Sequence, residues 1–259
     1  MIDLHCHILP GIDDGASDLE ESLAMAKQAV DDGIQTIIAT PHTLNDIFVN
    51  PLRKTVSHVE RLRQSFQENK VGIELRIGSE VRIRPEMTRL VMDGEIATLN
   101  DGGKYLLVEF PLQLIPPGSR EELFQLKLNH MTPILAHPER NPIFQDNPER
   151  LFDLVNMGCL VQITAMSITG RLGGPAMECA HTLLKHRKAH IIATDAHSST
   201  MRPPILSQGV EVASRILGGM EEAEDMVVKT PRSILAGEPV DMEPPVPVRR
   251  KKRWFGFKR

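Results

Sequence analysis

The chain has 259 residues, 41% of them hydrophobic, enough to bury the core of one α/β domain of ordinary size. Its cysteines, Cys6, Cys159 and Cys179, are odd in number and far apart, which argues against a disulfide framework and for a reducing compartment. The net charge of -4 conceals an acidic body: residues 249–259 hold 7 of the 30 Lys and Arg and no acid, leaving 23 basic against 34 acidic residues before them. No basic leader with an apolar core opens the chain, and nowhere do about 18 apolar residues run together, so a cytoplasmic protein is expected.

A short apolar run over residues 2–5 reads as the first strand and ends in His5-Cys6-His7. In extended backbone, residues two apart point the same way, so both imidazoles can face one ion. Asp13-Asp14-Gly15 follows, and then Ser17 with Glu20 forms a capping box for a helix over 19–30, closed by Gly33. Further strands are expected over 36–40, 73–79, 105–109, 133–136, 160–164 and 190–194, seven in all. Helices are expected over 51–67, 85–93, 120–131, 148–157, 174–187, 204–217 and 221–235. This alternation is the signature of βα units. The body is expected to end at residue 236, followed by an extended tether over 237–248 containing Pro239, Pro244, Pro245 and Pro247.

Nearly every strand delivers a ligand-type residue at its end. His5 and His7 end the first, His42 follows the second, Glu80 the third, Glu109 the fourth, His137 the fifth, and Asp195 with His197 the last. In a βα barrel these ends converge on one face, so residues far apart in sequence meet in one pocket. His58, His130, His181, His186 and His190 fall on helices, their ends or a strand start, and read as packing or surface residues. Imidazole and carboxylate without thiolate suit Mn, Fe or Zn, and the set is too large for one ion. Two or three ions, some bridged by a glutamate such as Glu80 at about 3.5–4 Å, would activate water and neutralise a phosphoryl group. Arg140 in His137-Pro138-Glu139-Arg140 and Arg202 in Met201-Arg202-Pro203-Pro204 lie on the same face, and their forks suit phosphate. Cysteine-based phosphate chemistry is excluded, because the positions six beyond each cysteine are Ile12, Ala165 and Lys185 rather than arginine. No glycine-rich phosphate loop occurs.

Asp3-Leu4-His5-Cys6-His7, Asp13-Asp14-Gly15, Thr40-Pro41-His42, Gly78-Ser79-Glu80, Glu109-Phe110, Ala136-His137-Pro138-Glu139-Arg140, Thr194-Asp195-Ala196-His197 and Arg202-Pro203-Pro204 together resemble the motif series of the polymerase and histidinol phosphatase (PHP) superfamily. Within it the chain resembles the bacterial manganese-dependent tyrosine-protein phosphatases of the CpsB/YwqE type. The resemblance implies a distorted seven-stranded (β/α)7 TIM-like barrel with a trinuclear site, manganese being the expected metal. It assigns His5, His7, Glu80 and Asp195 to one metal, Glu80, Glu109 and His137 to a second, and Asp14, His42 and His197 to a third. Arg140 and Arg202 would grip the phosphate, and with Asp14 and His42 they are the residues expected in catalysis. The implied partner is a phosphotyrosine-bearing bacterial tyrosine kinase controlling capsular or exopolysaccharide synthesis.

A phosphomonoesterase acting on a small metabolite such as histidinol phosphate shares the same metal face, since specificity belongs to the rim. A metal-binding scaffold without activity is a third class, and predicts no hydrolysis when loaded with metal. In the tail, the basic cluster interleaved with Trp254, Phe255 and Phe257 suits an anionic membrane surface, each basic residue contributing about 1 kcal/mol. Nucleic acid is the less favoured partner of that tail. A homo-oligomer stays open, because the apolar face of helix 19–30 suits either a partner or the barrel.

Overall fold

The computed structural model describes residues 1–45 and 47–248, so the basic tail expected to touch a membrane lies outside the described residues. In chain order the elements are β1 (Ile2–Cys6), α1 (Leu19–Asp31), β2 (Thr36–Ala39), β3 (His42–Thr43), α2 (Leu52–Glu68), β4 (Glu74–Ile77), β5 (Glu80–Arg82), α3 (Met87–Met92), β6 (Tyr105–Glu109), α4 (Ser119–Leu128), β7 (Thr132–Ala136), α5 (Pro142–Asp146), α6 (Arg150–Asn156), β8 (Leu160–Thr164), α7 (Ala165–Ile168), α8 (Gly174–Lys185), β9 (Ile191–Ala193), α9 (Ser207–Leu217), α10 (Met220–Asp225) and α11 (Lys229–Ala236). No helix among the described residues is long and apolar enough to cross a membrane.

All strand pairs are parallel, in two sheets of order β1-β2-β4 and β3-β5-β6-β7-β8-β9. Where a distorted barrel of seven strands is expected, the described residues form nine shorter strands in these two sheets. The strand expected over 36–40 is observed as β2, and Pro41, which has no N–H for the ladder, separates it from the short β3. The strand expected over 73–79 breaks at Gly78, where a Cβ would lie 2.8 Å from Ile38 and 2.9 Å from Leu99, and resumes as β5. The sheets meet where Glu80 N donates to Pro41 O at 3.1 Å and, at the other edge, where Asp195 N donates to His5 O at 2.8 Å and His7 N to Ala196 O at 2.9 Å.

Alternation along the strands sorts two apolar layers. Leu4 and Ile38 from one sheet, and Leu107, Ile134, Leu160 and Ile191 from the other, form a single buried inner cluster. Their neighbours Ile37, Leu106, Val108, Leu135, Val161 and Ile192 belong to the outer layer packed under the helices. Helix α1 buries Met25, Ala26 and Ala29 in that outer layer, so its apolar face is used within the chain. Its cap is Asp18, whose side chain accepts from Glu21 N at 2.9 Å, rather than Ser17 as expected. The helix expected over 221–235 is divided into α10 and α11. The carbonyls of Met226 and Val227 accept from Ile192 N at 3.2 Å and Ile2 N at 2.8 Å, which draws this stretch out of a helical ladder.

The proline-rich segment forms no helix or strand, and it packs against the body. Val240 and Met242 pack against the inner cluster beside Tyr105 and Ile234, and Tyr105 Oη donates to Glu238 O at 2.6 Å. Further on, Val246 N donates to His186 O at 2.9 Å, and Val248 N to Glu149 Oε2 at 2.8 Å. The same Glu149 oxygen accepts from the buried Lys188 Nζ at 2.6 Å. A test of the tail should therefore cut after Val248, since a cut at Ala236 would also strip apolar cover from the inner cluster. Liposome co-sedimentation of the intact chain is expected to exceed that of residues 1–248, and equal binding would end the membrane idea.

His190, at the start of β9, makes the acid limb of stability measurable. Its Nδ1 accepts from Val161 N at 3.0 Å, and burial holds the imidazole at about 4. Because the folded value lies below that of the unfolded chain, this histidine's contribution is complete above about pH 6.5 and is lost as pH falls through 4. Urea unfolding is expected to show wild type losing up to about 3 kcal/mol more than His190→Asn between pH 7 and 4. Parallel pH curves for the two proteins would refute the assignment.

Candidate metal centre

The strand ends deliver the expected side chains to one place. His5 Nε2 and His7 Nε2 lie 3.0 Å apart, and each stands 3.3–3.5 Å from Glu80 Oε2 and Asp195 Oδ1. Glu80 also reaches His42 Nδ1 at 2.8 Å and His137 Nε2 at 2.9 Å. Glu109 lies 3.9 Å from both His42 and His137. Asp14, more than half exposed, stands 3.4 Å from His42 Nε2 and 3.6 Å from His197 Nε2. All nine candidate ligands therefore meet. The groups near enough to share an ion overlap: His7 joins Asp14, His42 and His197; His5 joins His7 and Glu80; His5 also joins His137 and Asp195; and His42 joins Glu80 and Glu109. The resemblance instead divides them so that His137 sits with Glu109 and His7 apart from His42.

The surroundings of these groups suit cations. His5 Nδ1 faces Gln162 Oε1 at 3.0 Å and His7 Nδ1 faces Asp13 Oδ2 at 2.8 Å, so donation to those oxygens leaves both Nε2 lone pairs turned inward. Two lone pairs at such a distance repel, whereas nitrogens about 2.1 Å from one ion stand about 3.0–3.4 Å apart. Glu80 Oε2 is buried and, although near three imidazoles, accepts no aligned hydrogen bond. Burial, and next the Glu80 charge, push the Glu109 carboxyl above the usual carboxylate range, a repulsion that a divalent cation between them relieves. Burial opposes charge on His5, yet Glu80 and Asp195 outweigh it and raise its value. Burial and the neighbouring His7 hold His197 well below the ordinary range, in the neutral form that ligation needs.

Local backbone explains how these side chains are aimed. His137 and Asp195 both sit at strand ends with positive φ, 31° and 51°, a strained region for such residues. The loop after His7 turns back on itself, with Ala16 N donating to His7 O at 3.0 Å, and a Cβ at Gly15 would lie 2.1 Å from that oxygen. Asp13 then braces the site, its Oδ2 accepting from His7 Nδ1 and from His42 N at 3.0 Å. Glu139 does the same for the His137–Arg140 turn: fully buried, with burial pushing its carboxyl up to about 6, it accepts from Thr164 N at 3.0 Å and Ser167 Oγ at 2.7 Å. Gln162 and Glu139 escaped sequence reasoning as site residues. Their only local signal is a polar residue inside or just past an otherwise apolar strand.

Arg140 Nη1 and Arg202 Nη2 both donate to Asp195 Oδ2, and Arg202 Nη2 also to Asp195 O at 2.9 Å. They share a pocket of about 180 Å³ with Asp14, His42, Glu109 and His197, and its mouth carries the apolar side chains of Ile47, Phe48 and Leu112. Phe48 stacks parallel to His42, with ring centroids 6.1 Å apart and planes 7° from parallel. No thiolate competes for the chemistry: all three cysteines are buried, and burial pushes Cys159 and Cys179 up to about 12.

Residues 1–236 match the family described as capsular polysaccharide synthesis, CpsB/CapC. The tyrosine-protein phosphatase YwqE of Bacillus subtilis is 34% identical over 257 residues, 99% of this chain and all of that one. The tyrosine-protein phosphatase CpsB of Streptococcus pneumoniae is 28% identical over 240 residues, 91% of this chain and 98% of that one. A crystal structure reported for YwqE and CpsB as metal-dependent tyrosine phosphatases superposes with TM-score 0.92 at 33% identity, over 96% of this chain and all of that chain. A histidinol phosphate phosphatase from Lactococcus lactis shares the fold, with TM-score 0.52 at 16% identity over 84% of this chain and 92% of that one. The motif series, the α/β fold of parallel sheets and the converging strand ends thus have one common account: this chain belongs to the CpsB/CapC family.

Proposed function

We propose that the protein is a metal-dependent protein-tyrosine phosphatase acting on a phosphotyrosine protein, a bacterial tyrosine kinase of capsular or exopolysaccharide synthesis. The observation that carries this reading is a single pocket combining an imidazole–carboxylate cluster with two arginines, under a mouth formed by Ile47, Phe48 and Leu112. An aryl phosphate fits both halves: its ring meets apolar side chains while its phosphate reaches the basic and cation-holding floor. His5, His7, Glu80, Asp195, Glu109, His137, Asp14, His42 and His197 would hold two or three divalent ions, Mn2+ foremost. Such ions neutralise phosphoryl oxygens and make water nucleophilic near neutral pH.

The residues of the chain perform the rest. Arg140 and Arg202 already converge on one carboxylate oxygen, and the same forks turned to the phosphoryl oxygens bind and orient the group for in-line attack. Asp13 and Gln162 fix the ring orientations of His7 and His5. A tyrosinate, with a conjugate acid near pKa 10, leaves with less protonation than an alkoxide, so water at the open mouth of the pocket suffices as its proton source.

The relatives named as tyrosine-protein phosphatases support this reading, and the shared fold of the histidinol phosphate phosphatase supplies the alternative to exclude. The test compares kcat/KM for a phosphotyrosyl peptide, the matching phosphoseryl peptide and histidinol phosphate, with Mn2+ present. The phosphotyrosyl peptide is expected to lead by at least about a hundredfold, since the apolar mouth and the better leaving group both favour it. Turnover of histidinol phosphate without turnover of phosphotyrosine would overturn the assignment while keeping the metal chemistry.

A further inference from the structure

The metal pocket does not end at its own mouth. A second cleft of about 540 Å³ adjoins it, and Asn45, Ile47 and Arg82 line both. Its far walls are Ile83, Pro85, Pro111 and Leu114, and it also carries Arg84; among the described residues no acidic side chain lines it. The strand geometry explains the charge. Along β5 and just beyond it, Val81 and Ile83 are buried, while the alternate positions Glu80, Arg82 and Arg84 step outward from the cluster to the rim. Arg82 is held by Glu109 at 2.9 Å, whereas Arg84 is exposed and enters no ion pair among the described residues. Glu121 and Glu122 line a separate cleft of about 220 Å³ that also includes Arg84 and Pro85.

We propose that this cleft binds the peptide segment next to the phosphotyrosine and selects segments with acidic side chains, Arg84 being the residue that reads them. The proposal rests on the phosphatase reading and adds the substrate's flanking chemistry to it. Two arguments favour this occupant. The cleft adjoins the pocket that takes the phosphate through Asn45, Ile47 and Arg82, so a peptide seated in one can continue into the other. The charge of its lining is the reverse of the body's, where 34 acidic residues face 23 basic ones before residue 249. Such a body repels an acidic peptide except where cations are gathered, so arginines at this rim set both the approach and the register of the substrate. The prolines keep the wall rigid, so little ordering is lost on binding.

The test uses three phosphotyrosyl peptides of equal length, with Glu, Ser or Lys at the two positions on each side of the phosphotyrosine, and the full chain loaded with Mn2+. Wild type is expected to prefer the Glu peptide over the Lys peptide by about three- to tenfold in kcat/KM, carried by KM and diminished at high salt. In Arg84→Glu the order is expected to invert, with the Lys peptide leading. Equal kcat/KM for the three peptides in wild type would overturn the cleft's role, as would a Glu preference that survives Arg84→Glu unchanged. Failure to hydrolyse any of the three, alongside turnover of a small phosphomonoester, would instead overturn the phosphatase reading on which the proposal stands.

Discussion

Glutamine in place of Glu80 is expected to lower kcat/KM by at least about a thousandfold and to strip divalent cations from the protein. The Glu80 carboxylate lies within 3.4 Å of four imidazoles. Its two oxygens stand 2.9 Å from His137, 2.8 Å from His42, 3.3 Å from His7 and 3.4 Å from His5, so a single carboxylate joins groups that would otherwise belong to separate ions. Burial disfavours its charge, yet His5 and His42 hold it well below the usual carboxylate range. Glutamine keeps the volume and one acceptor oxygen but removes the charge and turns the other oxygen into a donor. The fold should survive, because the amide can still pair with neutral imidazole. Elemental analysis after dialysis, steady-state kinetics and thermal unfolding form the check. Metal retained at the wild-type ratio, or a rate within tenfold of wild type, would show that Glu80 is not the joining ligand.

Removing either arginine is expected to cost about 10²–10³ in kcat/KM, the range seen when one donor to a developing anion is lost. Arg140 and Arg202 reach the same Asp195 oxygen from different loops, so in the proposed role they grip one phosphate together and their losses should not multiply. The double variant is expected to fall well short of the product of the single losses. Lysine should restore little at either position, because a point charge cannot reproduce the planar fork. Inhibition by inorganic phosphate supplies an independent reading: its Ki should rise in Arg140→Ala and Arg202→Ala alike. If Arg202→Ala kept a third of wild-type activity, the guanidinium would be a structural partner of Asp195 alone.

What the sequence by itself determined is whatever local periodicity and local chemistry encode. Two strands, Tyr105–Glu109 and Leu160–Thr164, agree with expectation residue for residue, because their apolar runs are bounded by turn-forming neighbours. The candidate ligands were legible for the same reason: all but Asp14 lie at or just past the end of an apolar run, and parallel strands must carry such ends to one face. Tertiary structure decided the rest. Pro41 and Gly78 split two strands because neighbouring backbone and side chains admit no continuous ladder there, and Asp18 takes the cap expected of Ser17. The bracing of His5 by Gln162, of His7 by Asp13 and of the Arg140 turn by Glu139 depends on contacts such as the His5–Gln162 pair, 157 positions apart. The docking of residues 237–248 likewise depends on Tyr105, His186 and Glu149 being in place first. A hydrogen bond between residues so distant leaves no periodic trace in the chain, since its energy depends on the folded positions of both partners.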